Sequence, residues 1–223
     1  MADTPEVSPE LVKKFNEAAA LAREGKSEEA VAAWDRLLDP PAEGAPGDFL
    51  GLAQLRKAWA LMDLERYAEA LAIFEGEALT SLLAHFDPDA LFWYFFSYGN
   101  TLGSLGRIEE MDEQLTRALG LAGRELDDVQ RCQMCWQNMM LFAEEHEAWE
   151  YLEQEASNGL GFADQNDLQV FGFLSGLHRV AALRGLERLD EAREQARELL
   201  ARAKEWEADD AVERVEALLE ELG

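Results

Sequence analysis

Few side chains in this sequence stand at spacings that do chemistry. Cys132 and Cys135 form a single CxxC, with Met134, Met139 and Met140 close by. A soft metal or a redox couple would use such sulfurs, but a tetrahedral metal site needs further ligands, and redox pairs of this spacing open a helix after a strand. Here the pair sits inside a continuous helical pattern, three residues apart on one face, where two small apolar side chains pack well into a core. The histidines, His85, His146 and His178, are scattered. The sequence contains no HExxH, nucleophile elbow, glycine-rich phosphate loop or paired Cys/His spacing. Carboxylates are so abundant that no pair of them stands out. These residues predict no enzyme, no metal site and no cofactor.

The charge balance narrows the partners. Asp and Glu number 46 against 20 Lys and Arg, a formal net charge of −26. Such a field repels phosphate backbones and anionic lipid, so neither nucleic acid nor a membrane surface is expected as a partner. A protein or peptide of basic character is favoured instead. Apolar residues make up 48% of the 223, the usual share for a folded chain with a real core. The opening MADTPEVSPE has no basic region followed by an apolar one, as a secretory signal requires, and no run reaches about 18 apolar residues. The expected location is cytoplasmic.

Ala, Leu, Glu and Arg dominate, the residues that lose least on entering a helix. Three segments repeat one plan: ALAREGKSEEAVAAWDRLL (20–38), AWALMDLERYAEALAIFEGEAL (58–79) and YGNTLGSLGRIEEMDEQLTRAL (98–119). Each has a helical stretch, a polar break and a second amphipathic helix with acidic residues in its first turn. Ala18 and Ala30, Ala58 and Ala70, and Gly99 and Met111 lie twelve apart across the breaks. Trp34, Phe74 and Leu115 follow four later on the same face. Ser8-Pro9-Glu10 and Ser27-Glu28-Glu29 read as helix starts. DPPAEGAPGD (39–48), HFDPDA (85–90) and SNGLGFADQND (157–167) read as connections. Periodicity predicts about eleven helices and no strands.

This pattern resembles the tetratricopeptide repeat. The resemblance rests on Ala18, Leu21, Gly25, Ala30 and Trp34 in the first unit and on Ala58, Leu61, Tyr67, Ala70 and Phe74 in the second. In the third it rests on Tyr98, Gly99, Leu102, Gly106 and Ala118. A fourth unit would use Trp136, Met139, Ala148 and Leu152, and a fifth Val180, Leu183, Ala192 and Ala196. The anchors Ala30, Ala70, Met111, Ala148 and Ala192 are spaced more widely than the family's 34 residues. The resemblance implies an all-α fold, a right-handed α–α superhelix of about five helix pairs with a C-terminal capping helix, in a single domain over 1–223. Its units would span about 9–39, 48–84, 88–122, 127–158 and 166–204, with the cap at 206–222.

In this family the first helix of each pair lines a concave surface that binds other proteins. By register that surface would carry Asn16, Leu55, Trp59, Met62, Trp93, Phe96, Asn100, Gln133, Gln137 and His178, with Phe15 beside Asn16. Aromatic and apolar side chains would form its floor, and amides would reach a bound backbone. The resemblance therefore implies an adaptor or chaperone-like module that takes a peptide or helix in its groove. Alternatively, the negative surface itself would neutralise a cationic protein, as an inhibitor or immunity-type protein does. Self-association into a homodimer is a third possibility.

Overall fold

Left-handed backbone positions set the period of the chain. Gly25, Glu65, Gly106, Glu147 and Glu187 all have φ between 55° and 74°, and they recur at intervals of 40, 41, 41 and 40 residues. A second series, Asp127, Asp167 and Glu207, recurs every 40. At each but Asp127, the next residue's N–H bonds back to a carbonyl five residues earlier, as in Lys26 to Leu21 (2.9 Å), Arg107 to Leu102 (3.0 Å) and Arg188 to Leu183 (2.9 Å). This closure caps the carbonyls left open at a helix end and reverses the chain.

The computed structural model describes residues 7–39 and 45–223. Pro40, Pro41 and the centre of the connection expected at 39–48, like most of the segment read against a secretory signal, lie outside the described residues. The helices run α1 Pro9–Arg23, α2 Ser27–Leu38, α3 Gly47–Asp63, α4 Tyr67–Phe74, α5 Glu77–Thr80, α6 Pro88–Ser104 and α7 Ile108–Arg124. They continue with α8 Val129–Glu145, α9 Trp149–Asn166, α10 Gln169–Gly185, α11 Leu189–Glu205 and α12 Asp209–Glu221. A 3-10 turn, Leu83–His85, follows α5, and there is no strand among the described residues. The fold is all-α and built of helix hairpins. The short α5 brings the α-helices among the described residues to twelve. Side-chain caps at Ser8 and Asp87, each followed by proline in the first turn, start α1 and α6.

The chain divides into two compact units after Leu126. In the first, α1/α2, α3/α4 and α6/α7 are the hairpins, and one apolar core runs through Ala18, Trp34, Leu61 and Phe74. Here Ala18, Ala58 and Gly99 hold one packing position in successive hairpins. At Gly99 an added Cβ would lie 2.7 Å from Leu115 Cγ, so the helices are as close as the residue allows. Arg66 and Arg107 each grip a glutamate three residues on and reach a second one from an earlier element: Glu28 at 3.2 Å and Glu75 at 3.3 Å.

The second unit holds α8/α9, α10/α11 and α12. Extending the 40/41 interval places Met140 and Val180 at the position of Ala18, with Ala143 and Leu183 at that of Leu21. In the second helices, Leu152 and Ala192 stand for Ala30, and Ala156 and Ala196 for Trp34. All eight are buried. The fourth repeat thus sits one helical turn later than the register through Trp136, Met139, Ala148 and Leu152, and Ala148 is the residue that precedes α9. A shift of four residues keeps nearly the same helix face, so periodicity alone does not separate the two registers. The connection expected at 157–167 is also corrected. Helix α9 continues through it to Asn166, and the chain turns only at Asp167. Gly159 is needed inside the helix, because a Cβ there would meet Ser175 Oγ of α10 at 2.8 Å.

Candidate functional site

Helices α1, α3 and α6 of the first unit enclose a cleft of about 820 Å³. Its wall is aromatic because α6 carries the run Leu91-Phe-Trp-Tyr-Phe-Phe-Ser-Tyr98. A helix so apolar must bury several faces at once. Tyr94 turns into the core, where its hydroxyl donates to the Phe74 carbonyl at 3.0 Å, and burial pushes its pKa up to about 12. Trp93 and Phe96 turn the other way and line the cleft with their ring centroids 5.8 Å apart, edge to face. Trp59 of α3 meets Trp93 at 6.1 Å, and its indole Nε1 donates to Ser97 Oγ at 2.7 Å, which fixes the ring. Phe15 of α1 packs edge-on against Trp34 at 4.9 Å and closes the far side.

Two arginines stand at this cleft. Arg56 of α3 lies over the Trp59 ring, 4.5 Å from its centroid. Arg23, in the last turn of α1, donates from Nε to its own helix at the Ala19 carbonyl (3.3 Å). Burial and then the charge of Arg23 hold the Arg56 guanidinium below its ordinary pKa. Asp63 and Asp89 also line the cleft. Asp63 accepts from Ser27 Oγ at 3.5 Å, and Asp89 is likewise engaged.

Helices α8, α10 and α12 of the second unit form a smaller cleft, of about 400 Å³. Leu174, Leu177, Ala181 and Leu218 give it an apolar lining, but its prominent feature is ionic. His178 Nδ1 lies 2.5 Å from Glu144 Oε2, and Arg184 reaches Glu221 at 3.1 Å. The hydrogen bond from His178, followed by its charge and those of Arg184 and Arg214, holds the Glu144 carboxyl below its usual range.

Of the residues expected on the concave surface, Trp59, Met62, Trp93, Phe96 and Asn100 come together in the first cleft, with Phe15. Leu55 does not: at 1% exposure it belongs to the core. It lies one turn before Trp59, on the side of α3 that faces inward. Asn16 is exposed on α1 outside the cleft lining. Gln133 lies in a shallow pocket with Asp167 and Phe171, Gln137 is exposed on α8, and His178 belongs to the second cleft. Sequence reasoning missed Arg23. Its only signal was a cation at the end of α1, one turn beyond Ala19. Cys132 and Cys135 are both buried, and burial raises both thiols, so neither is poised as a thiolate. Among the described residues no group of three His, Cys, Asp or Glu side chains is placed to hold a metal ion, and no helix is long and apolar enough to cross a membrane.

No family model and no curated protein matches the chain. Solved structures do. The nearly identical TPR-like repeats of a Podosopora anserina kinesin light chain align with a TM-score of 0.62 at 17% identity, over 87% of this chain and 96% of that one. Aspartyl phosphate phosphatase F of Bacillus subtilis aligns at 0.59 and 13% identity, over 97% of this chain but 61% of its own. Bacillus thuringiensis PlcR, solved with the peptide PapR7 and DNA, aligns at 0.52 and 12%, over 92% and 74%. At such identities the likeness is one of fold, and the fold it shows is a helical repeat of the tetratricopeptide type.

Proposed function

We propose that this chain is a protein-interaction module, an adaptor or chaperone-like scaffold, that receives a short segment of a partner protein in the cleft of α1, α3 and α6. The observation that carries the reading is the aromatic lining of that cleft. Trp59, Trp93 and Phe96 hold one another in fixed geometry, leaving a concavity large enough for several side chains. Rigid aromatic walls suit the role of binding hot spots, because little side-chain freedom is left to lose. Asn100 also lines the cleft. The solved structure of PlcR with a peptide supports a peptide-binding role for this kind of fold.

The net charge of −26 acts at longer range. It steers segments flanked by basic residues toward the module and makes their association rate fall with salt. The same charge favours a second reading, in which the acidic surface alone neutralises a cationic protein. Affinity capture with the wild type and a Trp59→Ala/Phe96→Ala/Asn100→Ala variant, at low and high salt, separates the two. A partner kept by the wild type and lost by the variant supports the cleft. A partner indifferent to the variant but released by salt overturns it in favour of the surface.

A further inference from the structure

Helix α4 ends early. It stops at Phe74 after eight residues, against 12 in α2 and 17 or 18 in α7, α9 and α11. Leu115 of α7, at the same repeat position as Phe74, lies in mid-helix, where a carbonyl is bonded by an N–H four residues on. The Phe74 carbonyl, in the last turn of α4, lacks an intrahelical donor, and the Tyr94 hydroxyl of α6 supplies one at 3.0 Å. Tyr98, one turn along the same face of α6, stacks on the Phe74 ring at 5.5 Å and donates to Glu75 Oε1 at 3.4 Å. Arg107 holds the same carboxylate at 3.3 Å. Helix α6 is thus gripped on one face by the end of α4, while Trp93, Phe96, Ser97 and Asn100 line the cleft from another. At the repeat position of Tyr94 in α10 stands Ser175, whose hydroxyl donates to the Phe171 carbonyl of its own helix at 2.9 Å. That bond stays within α10 and fixes no rotation.

We propose that Tyr94, assisted by Tyr98, is a positioning residue for the binding cleft. Its bond to the end of α4 sets the rotation of α6, and with it the place of Trp93, Phe96 and Ser97. This rests on the cleft reading above and adds what controls the shape of that site from the far side of its wall. A rotation of roughly 20° moves a ring at the helix surface, about 5 Å from the axis, by about 2 Å. That is enough to break the 2.7 Å bond from Trp59 Nε1 to Ser97 Oγ and to part Trp59 from Trp93. The packing of the repeat alone does not set this rotation, because the early end of α4 is peculiar to the second hairpin.

The test is fluorine NMR of the full chain labelled with fluorotryptophan, its resonances assigned by single Trp→Phe substitutions. Tyr94→Phe keeps the ring and removes the hydroxyl, and Ser175→Ala removes the matching hydroxyl of α10. Tyr94→Phe should shift the Trp59 and Trp93 resonances by more than their linewidths and leave Trp149 and Trp206 of the second unit unmoved. Trp59 stands on α3, so its shift reports the wall rather than the substituted residue. Ser175→Ala should move neither Trp59 nor Trp93. A variant that is only less stable keeps its native resonances, so Tyr94→Phe with weaker urea resistance but an unmoved Trp59 overturns the proposal. Tyr98→Phe, which loses the longer bond, should shift the same pair less, and it decides the matter if Tyr94→Phe does not fold. Binding is read with a heptapeptide selected by display on the full chain and lost with Trp59→Ala. Its dissociation constant should rise about fivefold in Tyr94→Phe and stay unchanged in Ser175→Ala. Shifted resonances with unchanged affinity overturn the binding role of Tyr94 and leave the cleft standing. Recovery of no Trp59-dependent peptide overturns the cleft reading instead, while the resonances still decide whether Tyr94 sets the wall.

Discussion

The two units use one hairpin plan and a common turn, yet they line their clefts with different chemistry. In the first, α1, α3 and α6 supply Phe15, Trp59, Trp93 and Phe96, with Arg56 over the Trp59 ring and Arg23, Asp63 and Asp89 also at the lining. In the second, α8, α10 and α12 supply smaller aliphatic side chains, and polar side chains contact one another within the cleft as Glu144–His178 and Arg184–Glu221. A backbone repeat therefore does not repeat a function. The packing positions must be kept for the helices to dock, whereas the positions facing the cleft are free to differ.

The comparison breaks most easily on binding. Trp59→Ala should weaken partner affinity by about 30-fold or more, the loss of a hot-spot aromatic, while His178→Ala changes it less than threefold. Titration calorimetry with a captured partner measures both. Comparable losses from the two substitutions would remove the distinction between the clefts.

Packing supplies the next effect. In the second unit, α10 approaches its neighbours through glycines rather than at the position that Ala18, Ala58 and Gly99 share. A Cβ added at Gly176 would lie 2.5 Å from Cδ2 of the buried Leu199, so that side chain would have to shift. Gly176→Ala should cost about 1–3 kcal/mol in urea unfolding. Gly161→Ala, where a Cβ meets nothing within 4 Å, should gain roughly 0.5–1 kcal/mol because alanine is the better helix former.

The turns differ as well. The first unit closes two of its three hairpins with Gly25 and Gly106, while the second closes both of its own with glutamates, Glu147 and Glu187, in the same left-handed conformation. Glu187→Gly should relieve backbone strain and raise stability by about 0.5–1 kcal/mol, and Gly106→Ala should lower it by about 1 kcal/mol. Thermal melts of the two variants should shift in opposite directions.

The smallest expected effect is one of pH. The folded-state pKa of Glu144 is lowered, so its contribution is present above the ordinary carboxylate value of 4.5 and is lost as pH falls through the lowered one. After solvent screening it amounts to about 0.5 kcal/mol or less. Urea unfolding of the wild type and Glu144→Gln at pH 7 and pH 3 should show a difference at the higher pH that vanishes at the lower.

Much of the first unit was legible in the sequence because its turns use glycine at Gly25 and Gly106 and its packing positions use Ala18, Ala58 and Gly99. Small residues at a fixed offset are a signal that composition does not produce by chance. In the second unit the same turns are made by Glu147 and Glu187, and the same packing positions hold Met140 and Val180. Glutamate at a turn looks like any other exposed glutamate, and a register displaced by one helical turn preserves the apolar face. The pattern of Gly159 and Gly161 therefore read as a loop where the structure has a close approach of α9 and α10.

The sequence by itself determined that the chain is helical and that it is built of hairpins, since propensity and periodicity are local properties. Which aromatics of 91–98 turn into the core and which into the cleft was decided by the tertiary structure. Adjacent positions on a helix differ by about 100° of rotation, and only the neighbouring helices say which directions are filled. The same is true of Arg23 and Arg56. They are 33 residues apart in the chain, and they line one cleft only because α1 and α3 both contribute to it.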